Sequence, residues 1–168
     1  MKAEQVAFFA GAVALALILG ALFFQYVLNY PPCEMCHWQR WPHIAAAIVG
    51  IGGGLLLKSK VLKSPVALPL AVLTLLLVAT SGAIGVFHAG VEWQWWPGPS
   101  ACTTGYVFTG KLDLNAPVPR CDVAAWRLFG ISMAGYNALI SLGTAVLGIE
   151  GLGRDDRHRR LVTGLGLS

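Results

Sequence analysis

Residues 65–87 read PVALPLAVLTLLLVATSGAIGVF, a run of 23 residues without a charged side chain. A helix needs about 20 apolar residues to cross the roughly 30 Å hydrocarbon core of a bilayer, because it rises about 1.5 Å per residue. Similar runs occupy residues 6–28, 41–57 and 128–149. In hydrocarbon each backbone polar group must be satisfied within its own segment, and none of these runs alternates as a barrel strand would. The sequence therefore predicts four transmembrane helices.

The composition of the whole chain agrees with a membrane location. Of the 168 residues, 56% are hydrophobic and only 12% are charged, and the mean hydropathy is +0.65. A typical soluble domain is about 45–50% apolar and about 25% charged. These values argue against a soluble enzyme, a disordered segment and, despite a net charge of +4, a nucleic-acid binder.

We therefore predict one all-α integral membrane domain over residues 1–168, built as a four-transmembrane-helix bundle. The helices are expected near residues 5–28, 41–57, 65–88 and 127–149. The first run is longer than the roughly 7–15 apolar residues of a signal peptide, so we expect this helix to be retained.

The distribution of basic residues predicts the orientation in the membrane. The loop 58–64 carries three lysines and no acid, and the tail 150–168 carries a cluster of arginines. Basic residues collect in cytoplasmic loops, so this loop, the tail and both termini are predicted to be cytoplasmic. The loops 29–40 and 89–126 then lie on the opposite side, where tryptophan is abundant.

Four cysteines, Cys33, Cys36, Cys102 and Cys121, lie in these two outer loops. Outside the cytoplasm disulfides persist, and four cysteines allow three pairings. A local pairing gives one disulfide per loop, whereas a crossed pairing ties the loops together. The Cys33-x-x-Cys36 pair also stands at the predicted head of a helix, where the helix dipole favours a reactive thiolate.

Other interpretations of these cysteines remain open at this point. Cys33-x-x-Cys36-His37 matches the attachment signature of c-type haem, although the loop of about a dozen residues is short for wrapping a haem. A four-cysteine zinc site would normally have two closely spaced pairs, but 18 residues separate Cys102 from Cys121. Two purely structural disulfides are a third possibility.

Polar residues near the Cys33-x-x-Cys36 motif suggest a binding pocket at the membrane edge. Arg40 follows Cys36 by one helical turn and either anchors the interface or stabilises a thiolate or a ligand oxyanion. His88 and Glu92 are predicted near the outer end of the third helix, and Gln25 near the outer end of the first. A redox-active dithiol beside lipid and aromatic side chains favours a lipid-soluble two-electron acceptor, such as a quinone.

Three motifs carry a resemblance to a known family. They are PCxxCxxxR at residues 32–40, WPxPxxC at 96–102 and CxxxxWxxFGISM at 121–133. Together with Phe24-Gln25, and with His88 four residues before Glu92, they resemble the DsbB family, the disulfide bond formation proteins of bacterial inner membranes. The resemblance covers nearly the whole chain in the same order.

The resemblance implies a relay of disulfide exchange in the periplasm. Cys102 of a Cys102–Cys121 disulfide would form the mixed disulfide with a soluble DsbA-like thioredoxin-fold oxidant. Cys121 would then pass electrons to Cys33–Cys36, and Cys36 would reduce ubiquinone or menaquinone. The implied quinone-binding residues are Arg40, His88, Glu92 and Gln25. No metal and no nucleic acid are implied.

Some positions depart from the family pattern. Glu92 stands where glutamine is familiar, and His37 after the motif also differs. Vitamin K epoxide reductases use similar chemistry, but their C-x-x-C follows the loop cysteines, whereas here it precedes them. The apolar residues 106–108, between the loop cysteines, are predicted to form a short interfacial helix.

Overall fold

The structure, a computed structural model, describes residues 1–103 and 119–164, with the backbone alone for Ala101 and residues 158–164. The predicted interfacial helix at residues 106–108 lies outside this part of the chain. The described residues form four long helices and one short one: α1 (Ala3–Tyr26), α2 (Glu34–Lys58), α3 (Ala67–Glu92), α4 (Ser100–Thr103) and α5 (Met133–Gly164). Two short strands, β1 (Arg127–Leu128) and β2 (Ile131–Ser132), pair antiparallel.

The long helices form the predicted all-α four-helix transmembrane bundle. Among the described residues, α1, α2 and α3 (with its preceding turn, Ser64–Val66) are long and apolar enough to span a membrane. The fourth helix, α5, is less apolar because it extends into the charged segment 150–160. Asn137 and Ser141 lie nearer its start, and both side chains bond within the bundle. The Met1 ammonium group donates to the Gly151 carbonyl over 3.0 Å, so the N-terminus lies beside the far part of α5.

Small residues allow the helices to approach closely. The bundle core contains α1 residues such as Ala7 and Ala10, which pack against α2 and α3. At the crossing of α1 and α2, a Cβ atom on Gly50 would lie 2.5 Å from the Ala7 carbonyl oxygen. Such small-residue contacts are a common way for membrane helices to pack, since lipid provides no hydrophobic driving force between them.

Helix α2 begins at Glu34, well before the expected start near residue 41. Cys33 is its N-cap, and the Cys33 sulfur accepts a hydrogen bond from the Cys36 backbone N–H over 3.3 Å. Glu34 in the first turn also matches the positive end of the helix dipole. The apolar pattern missed this polar turn, although local capping stabilises it. Further along, the helix accommodates Pro42 and a π-helical segment, Ile48–Gly52.

Helix α5 begins at Met133, later than the expected residue 127, because a hairpin takes up the preceding residues. Leu128 pairs with Ile131, and Phe129 and Gly130 form the turn with φ angles of 49° and 81°. Positive φ at both central residues is typical of the two-residue turns whose twist matches antiparallel strands. At its other end α5 continues to Gly164, beyond the expected residue 149.

Candidate functional site

All four cysteines belong to one buried cluster at the end of the bundle where α2 begins. They pack with Met35 at the start of α2 and with Val91 at the end of α3. Cys102 and Cys121 form a disulfide with their Cα atoms 5.4 Å apart. Cys33 and Cys36 are thiols whose sulfur atoms lie 2.7 Å apart. The pairing is therefore the local one, with one cysteine pair from each outer loop.

The two cysteines at the start of α2 differ in their surroundings. Cys33 is 5% exposed, whereas Cys36 is half-buried. The hydrogen bond with Cys36, together with burial, raises the pKa of the Cys33 thiol well above its ordinary value. A thiol with a raised pKa stays protonated at neutral pH. Cys33 is therefore the poorer nucleophile of the two, because it is less exposed and because little of it is thiolate.

The fold brings the two cysteine pairs together. The sulfur atoms of Cys33 and Cys121 and a ring nitrogen of His88 all lie within 4.8 Å of one another. Thiol–disulfide exchange needs a thiolate to reach one sulfur of a disulfide. The short distance between Cys33 and Cys121 makes such an exchange between the loops geometrically accessible.

His88, near the end of α3, contacts this sulfur cluster directly. Its Nε2 atom lies 3.6 Å from the Cys33 sulfur and 3.7 Å from Glu92 Oε1. The Cys121 backbone also lies beside the imidazole. The Glu92 side chain is 6% exposed and interacts with the Ser132 hydroxyl. Both residues predicted from the sequence thus lie beside the cysteines.

Arg40 and Gln25, the other two predicted binding residues, form a pair between α2 and α1. Arg40 Nη1 donates a 2.6 Å hydrogen bond to Gln25 Oε1, and Arg40 Nη2 donates to the Ala21 carbonyl oxygen over 3.5 Å. Gln25 therefore holds the guanidinium in place one turn beyond Cys36. A fixed guanidinium at this position can stabilise negative charge on a sulfur or on a bound oxygen.

A cavity of about 660 Å³ adjoins these residues. Its polar wall includes Cys36, Arg40, His88 and Glu92. Its remaining wall is largely apolar or aromatic and includes Leu17, Ile18, Phe24, Trp126, Tyr136 and Ile140. The rings of Phe24 and Trp126 meet edge to face with centroids 4.9 Å apart. Such a mostly apolar cavity with a few convergent polar groups is typical of a small-molecule site and suits a flat, lipid-soluble ligand.

A buried polar network extends from His88 into the bundle. His88 Nδ1 lies 2.8 Å from Gln39 Nε2, and Asn137 Nδ2 donates to Gln39 Oε1 over 2.7 Å. Asn137 Oδ1 in turn lies 2.8 Å from His43 Nε2. The sequence motifs do not single out Gln39, Asn137 or His43, although polar side chains inside apolar spans are by themselves a functional signal.

The structure also bears on the rival interpretations of the cysteines. A four-cysteine zinc site requires four thiolates, but Cys102 and Cys121 are joined in a disulfide. His37, the histidine of the haem signature, lies on the exposed face of α2.

Comparison with known proteins agrees with the motifs. Residues 3–149 match the sequence profile of the family "Disulfide bond formation protein DsbB". The chain is similar to disulfide bond formation protein B of Polaromonas sp. strain JS666, with 30% identity over 86% of this chain and 87% of that relative. The protein of the same name from Shewanella sp. strain MR-4 is 30% identical over 79% of this chain and 77% of that relative. The one from Vibrio vulnificus strain CMCP6 is 29% identical over 84% of this chain and 78% of that relative. No solved structure matches the chain significantly. The resemblance seen in the motifs is confirmed, and the chain belongs to the DsbB family of disulfide bond formation proteins.

Proposed function

We propose that this protein is a membrane thiol oxidase that reoxidises a soluble DsbA-like disulfide donor and passes the electrons through two cysteine pairs to a membrane quinone. One observation carries the proposal. The Cys33 sulfur lies 2.7 Å from the Cys36 sulfur and within 4.8 Å of the Cys121 sulfur. A single sulfur atom therefore adjoins both cysteine pairs, as an electron relay requires.

The relay begins at the outer disulfide. A thiolate of the reduced partner attacks Cys102, which forms a mixed disulfide and releases the Cys121 thiolate. The second partner thiolate then attacks the mixed disulfide, so that the partner leaves oxidised and Cys102 becomes a thiolate. The Cys102–Cys121 pair has gained the two electrons that the partner lost.

The inner pair accepts these electrons by two further displacements. The Cys121 thiolate attacks Cys33 of an oxidised Cys33–Cys36 pair, a sulfur–sulfur bond forms between Cys121 and Cys33, and the Cys36 thiolate leaves. Cys102 then attacks Cys121 and releases Cys33. Each step replaces one disulfide by another, so the Cys33–Cys36 pair ends as the dithiol and the outer disulfide is restored.

The quinone is assigned to the cavity beside Cys36. When bound, it supplies the acceptor for the two electrons and two protons that the Cys33–Cys36 dithiol loses as its disulfide re-forms. Arg40, held by Gln25, would stabilise negative charge at this position. The apolar wall, including Leu17 and Ile140, would bind the ring and exclude water.

We place the protein in the bacterial inner membrane with both termini cytoplasmic and the cysteine loops periplasmic. The lysine loop at residues 58–64 supports this orientation by the positive-inside rule. The contact between Met1 and Gly151 agrees with N- and C-terminal segments that lie on one side. The disulfide between Cys102 and Cys121 fits the oxidising periplasm.

The test is anaerobic turnover of the purified full-length protein with a reduced DsbA-like thioredoxin-fold protein and excess quinone. We expect quinol to form in equal amount to oxidised partner, and to fall to background when Cys33 and Cys36 are both replaced by serine. A matched control is Thr80→Val, since the Thr80 hydroxyl donates to the Leu76 carbonyl oxygen of its own helix on the exposed side of α3. Quinone reduction that persists in the double serine variant would contradict the proposal.

The haem alternative makes a different prediction. A c-type haem on Cys33 and Cys36 would give a Soret absorption band that survives denaturation. We expect no such band, because the relay uses these two sulfurs as an exchangeable pair. This observation separates the two functions without any enzymatic assay.

A further inference from the structure

We infer that Gln39 and Asn137 are positioning residues that hold His88 in the tautomer with its proton on Nε2, directed at the Cys33 sulfur. The inference rests on the proposed function only for the sulfur chemistry at Cys33. The geometry behind it concerns three side chains from three helices: Gln39 on α2, His88 on α3 and Asn137 on α5.

The orientation of the Asn137 amide is fixed by a backbone group. Its Nδ2 atom lies 3.2 Å from the Ser81 carbonyl oxygen, which can only accept a hydrogen bond. The carbonyl acceptor therefore fixes which end of the Asn137 amide is the nitrogen. On the other side, the Ser141 hydroxyl donates to Asn137 Oδ1 over 2.9 Å. Asn137 thus presents a donor to Gln39.

Gln39 is fixed in the same manner. Its Oε1 atom accepts from Asn137 Nδ2, and its Nε2 atom donates to the Met35 carbonyl oxygen over 3.1 Å. The second hydrogen of Nε2 then points to His88 Nδ1, 2.8 Å away. The Gln39 side chain is 7% exposed, so water does not compete readily for these bonds.

This bond determines the protonation of His88. Because Nδ1 accepts from Gln39, it carries no proton, and the neutral ring must carry its proton on Nε2. Nε2 is the atom that lies 3.6 Å from the Cys33 sulfur. The Nε2 proton of His88 therefore points to the Cys33 sulfur and the adjacent Cys121 backbone, and it stabilises the negative charge that forms when Cys33 leaves a disulfide.

The charged and titratable groups around His88 come from several elements. Glu92 lies on α3 itself, and Cys33 stands at the start of α2. Cys121 contributes a backbone group, and Arg127 acts on Glu92 from the hairpin. Gln39 is the group that contacts Nδ1 of His88, so substitution of Gln39 affects the protonation of Nδ1 most directly.

The test is ¹⁵N NMR of the full-length protein labelled at histidine, with the His88 signals identified by their loss in His88→Gln. We expect one neutral tautomer, with Nε2 protonated and Nδ1 bare. In Gln39→Leu and Asn137→Leu, the Nδ1-protonated form should appear. Exchange of Cys33 with Cys121 should then slow by about tenfold, the size of one lost hydrogen bond to a charged group.

Two further variants separate this role from general destabilisation. Gln39→Glu keeps the shape but replaces the donor by an acceptor, so Nδ1 should become protonated and the His88 Nδ1 signal should move to the protonated range. Thr74→Val removes a buried hydroxyl that donates to the Leu70 carbonyl oxygen of its own helix, and should leave His88 unchanged. A wild-type ring protonated on Nδ1, or a Gln39→Leu spectrum like the wild type, would overturn the inference.

The readout needs neither quinone nor partner. If the tautomer is found but quinone turnover fails, the proposed electron acceptor is wrong and the role of Gln39 stands. If turnover succeeds while the ring is protonated on Nδ1, the role of Gln39 and Asn137 is wrong and the relay stands.

Discussion

Arg40 Nη1 donates a 2.6 Å hydrogen bond to Gln25 Oε1, and this bond joins α2 to α1 at the edge of the cavity. An arginine at a membrane edge often serves only as an interfacial anchor. Here the guanidinium is half-buried and lies one turn from Cys36, so its charge is directed into the bundle. The bond holds the guanidinium at the wall of the cavity.

Replacing Arg40 by alanine should weaken the apparent affinity for quinone. We expect KM for quinone to rise about tenfold, because one charge-assisted interaction is lost. Gln25→Leu should produce a smaller rise, since the guanidinium remains but is less well positioned. Steady-state kinetics with varied quinone at fixed reduced partner measures both. An unchanged KM in Arg40→Ala would restore the anchor interpretation.

The closeness of Cys33 to Cys121 predicts a disulfide between the loops. In the double variant Cys36→Ser, Cys102→Ser, these are the only two cysteines left, and we expect them to pair upon mild oxidation. Mass spectrometry of the digested protein identifies the linked peptides. The matched control is Cys33→Ser, Cys102→Ser, which leaves Cys36 and Cys121. Equal yields of disulfide in both variants would show that the recorded distance does not govern the exchange.

The raised pKa of Cys33 predicts an order of alkylation in the fully reduced protein. The hydrogen bond with Cys36 is the largest cause and burial is the second. A raised pKa leaves less thiolate at a given pH, so Cys33 should react with iodoacetamide only when the pH is well into the alkaline range. Peptide mass spectrometry across a pH series measures this, with Cys36 expected to react first.

Cys36→Ala provides the control for that prediction. It removes the hydrogen bond but leaves the burial, so the alkylation of Cys33 should begin at lower pH than in the wild type while staying slower than that of a free cysteine. Alkylation of Cys33 before Cys36 at neutral pH would contradict the expected order.

The helix crossing at Gly50 should be sensitive to a single added methyl group. In Gly50→Ala the new Cβ would lie 2.5 Å from the Ala7 carbonyl oxygen, so the helices must separate. We expect a loss of about 1–3 kcal/mol in the free energy of unfolding, the usual cost of overpacking. Thermal unfolding in detergent provides the measurement.

Gly52→Ala is the matched control for Gly50→Ala. It lies two residues away on the same helix, and its Cβ would meet no atom within 4 Å. This change should be neutral or slightly stabilising, because alanine loses less conformational entropy than glycine in a helix. Equal losses of unfolding free energy in both variants would contradict the prediction, because they would show that position 50 is no more tightly packed than position 52.

Apolar runs located the membrane helices well but misplaced three of their ends, two of which are helix starts. Residues 34–40 are mostly polar, so hydropathy predicts that α2 begins near residue 41, yet capping by Cys33 extends the helix to Glu34. Hydropathy also predicts that the last helix begins at residue 127, where the Phe129-Gly130 turn forms a hairpin instead. In both places local hydrogen bonding, which hydropathy does not measure, decided the boundary.

The candidate site divides in the same manner. Motif spacing was sufficient to select Cys33, Arg40 and His88, because residues one turn apart on a helix share a face wherever that helix lies. It could not select Gln39 or Asn137, which are 98 residues apart and meet only when α2 and α5 pack. Polar residues within apolar spans were visible, but their partners were not.

The sequence by itself determined the membrane class, the four spans and the family, and it showed that the four cysteines lie in two loops between the spans. These properties depend on composition and on spacing along one helix or one loop. Only the tertiary structure decided that Cys33 adjoins Cys121 and that His88 presents Nε2 to Cys33. Contacts between distant segments depend on how helices pack, and packing of small residues and paired amides is not encoded in any one segment.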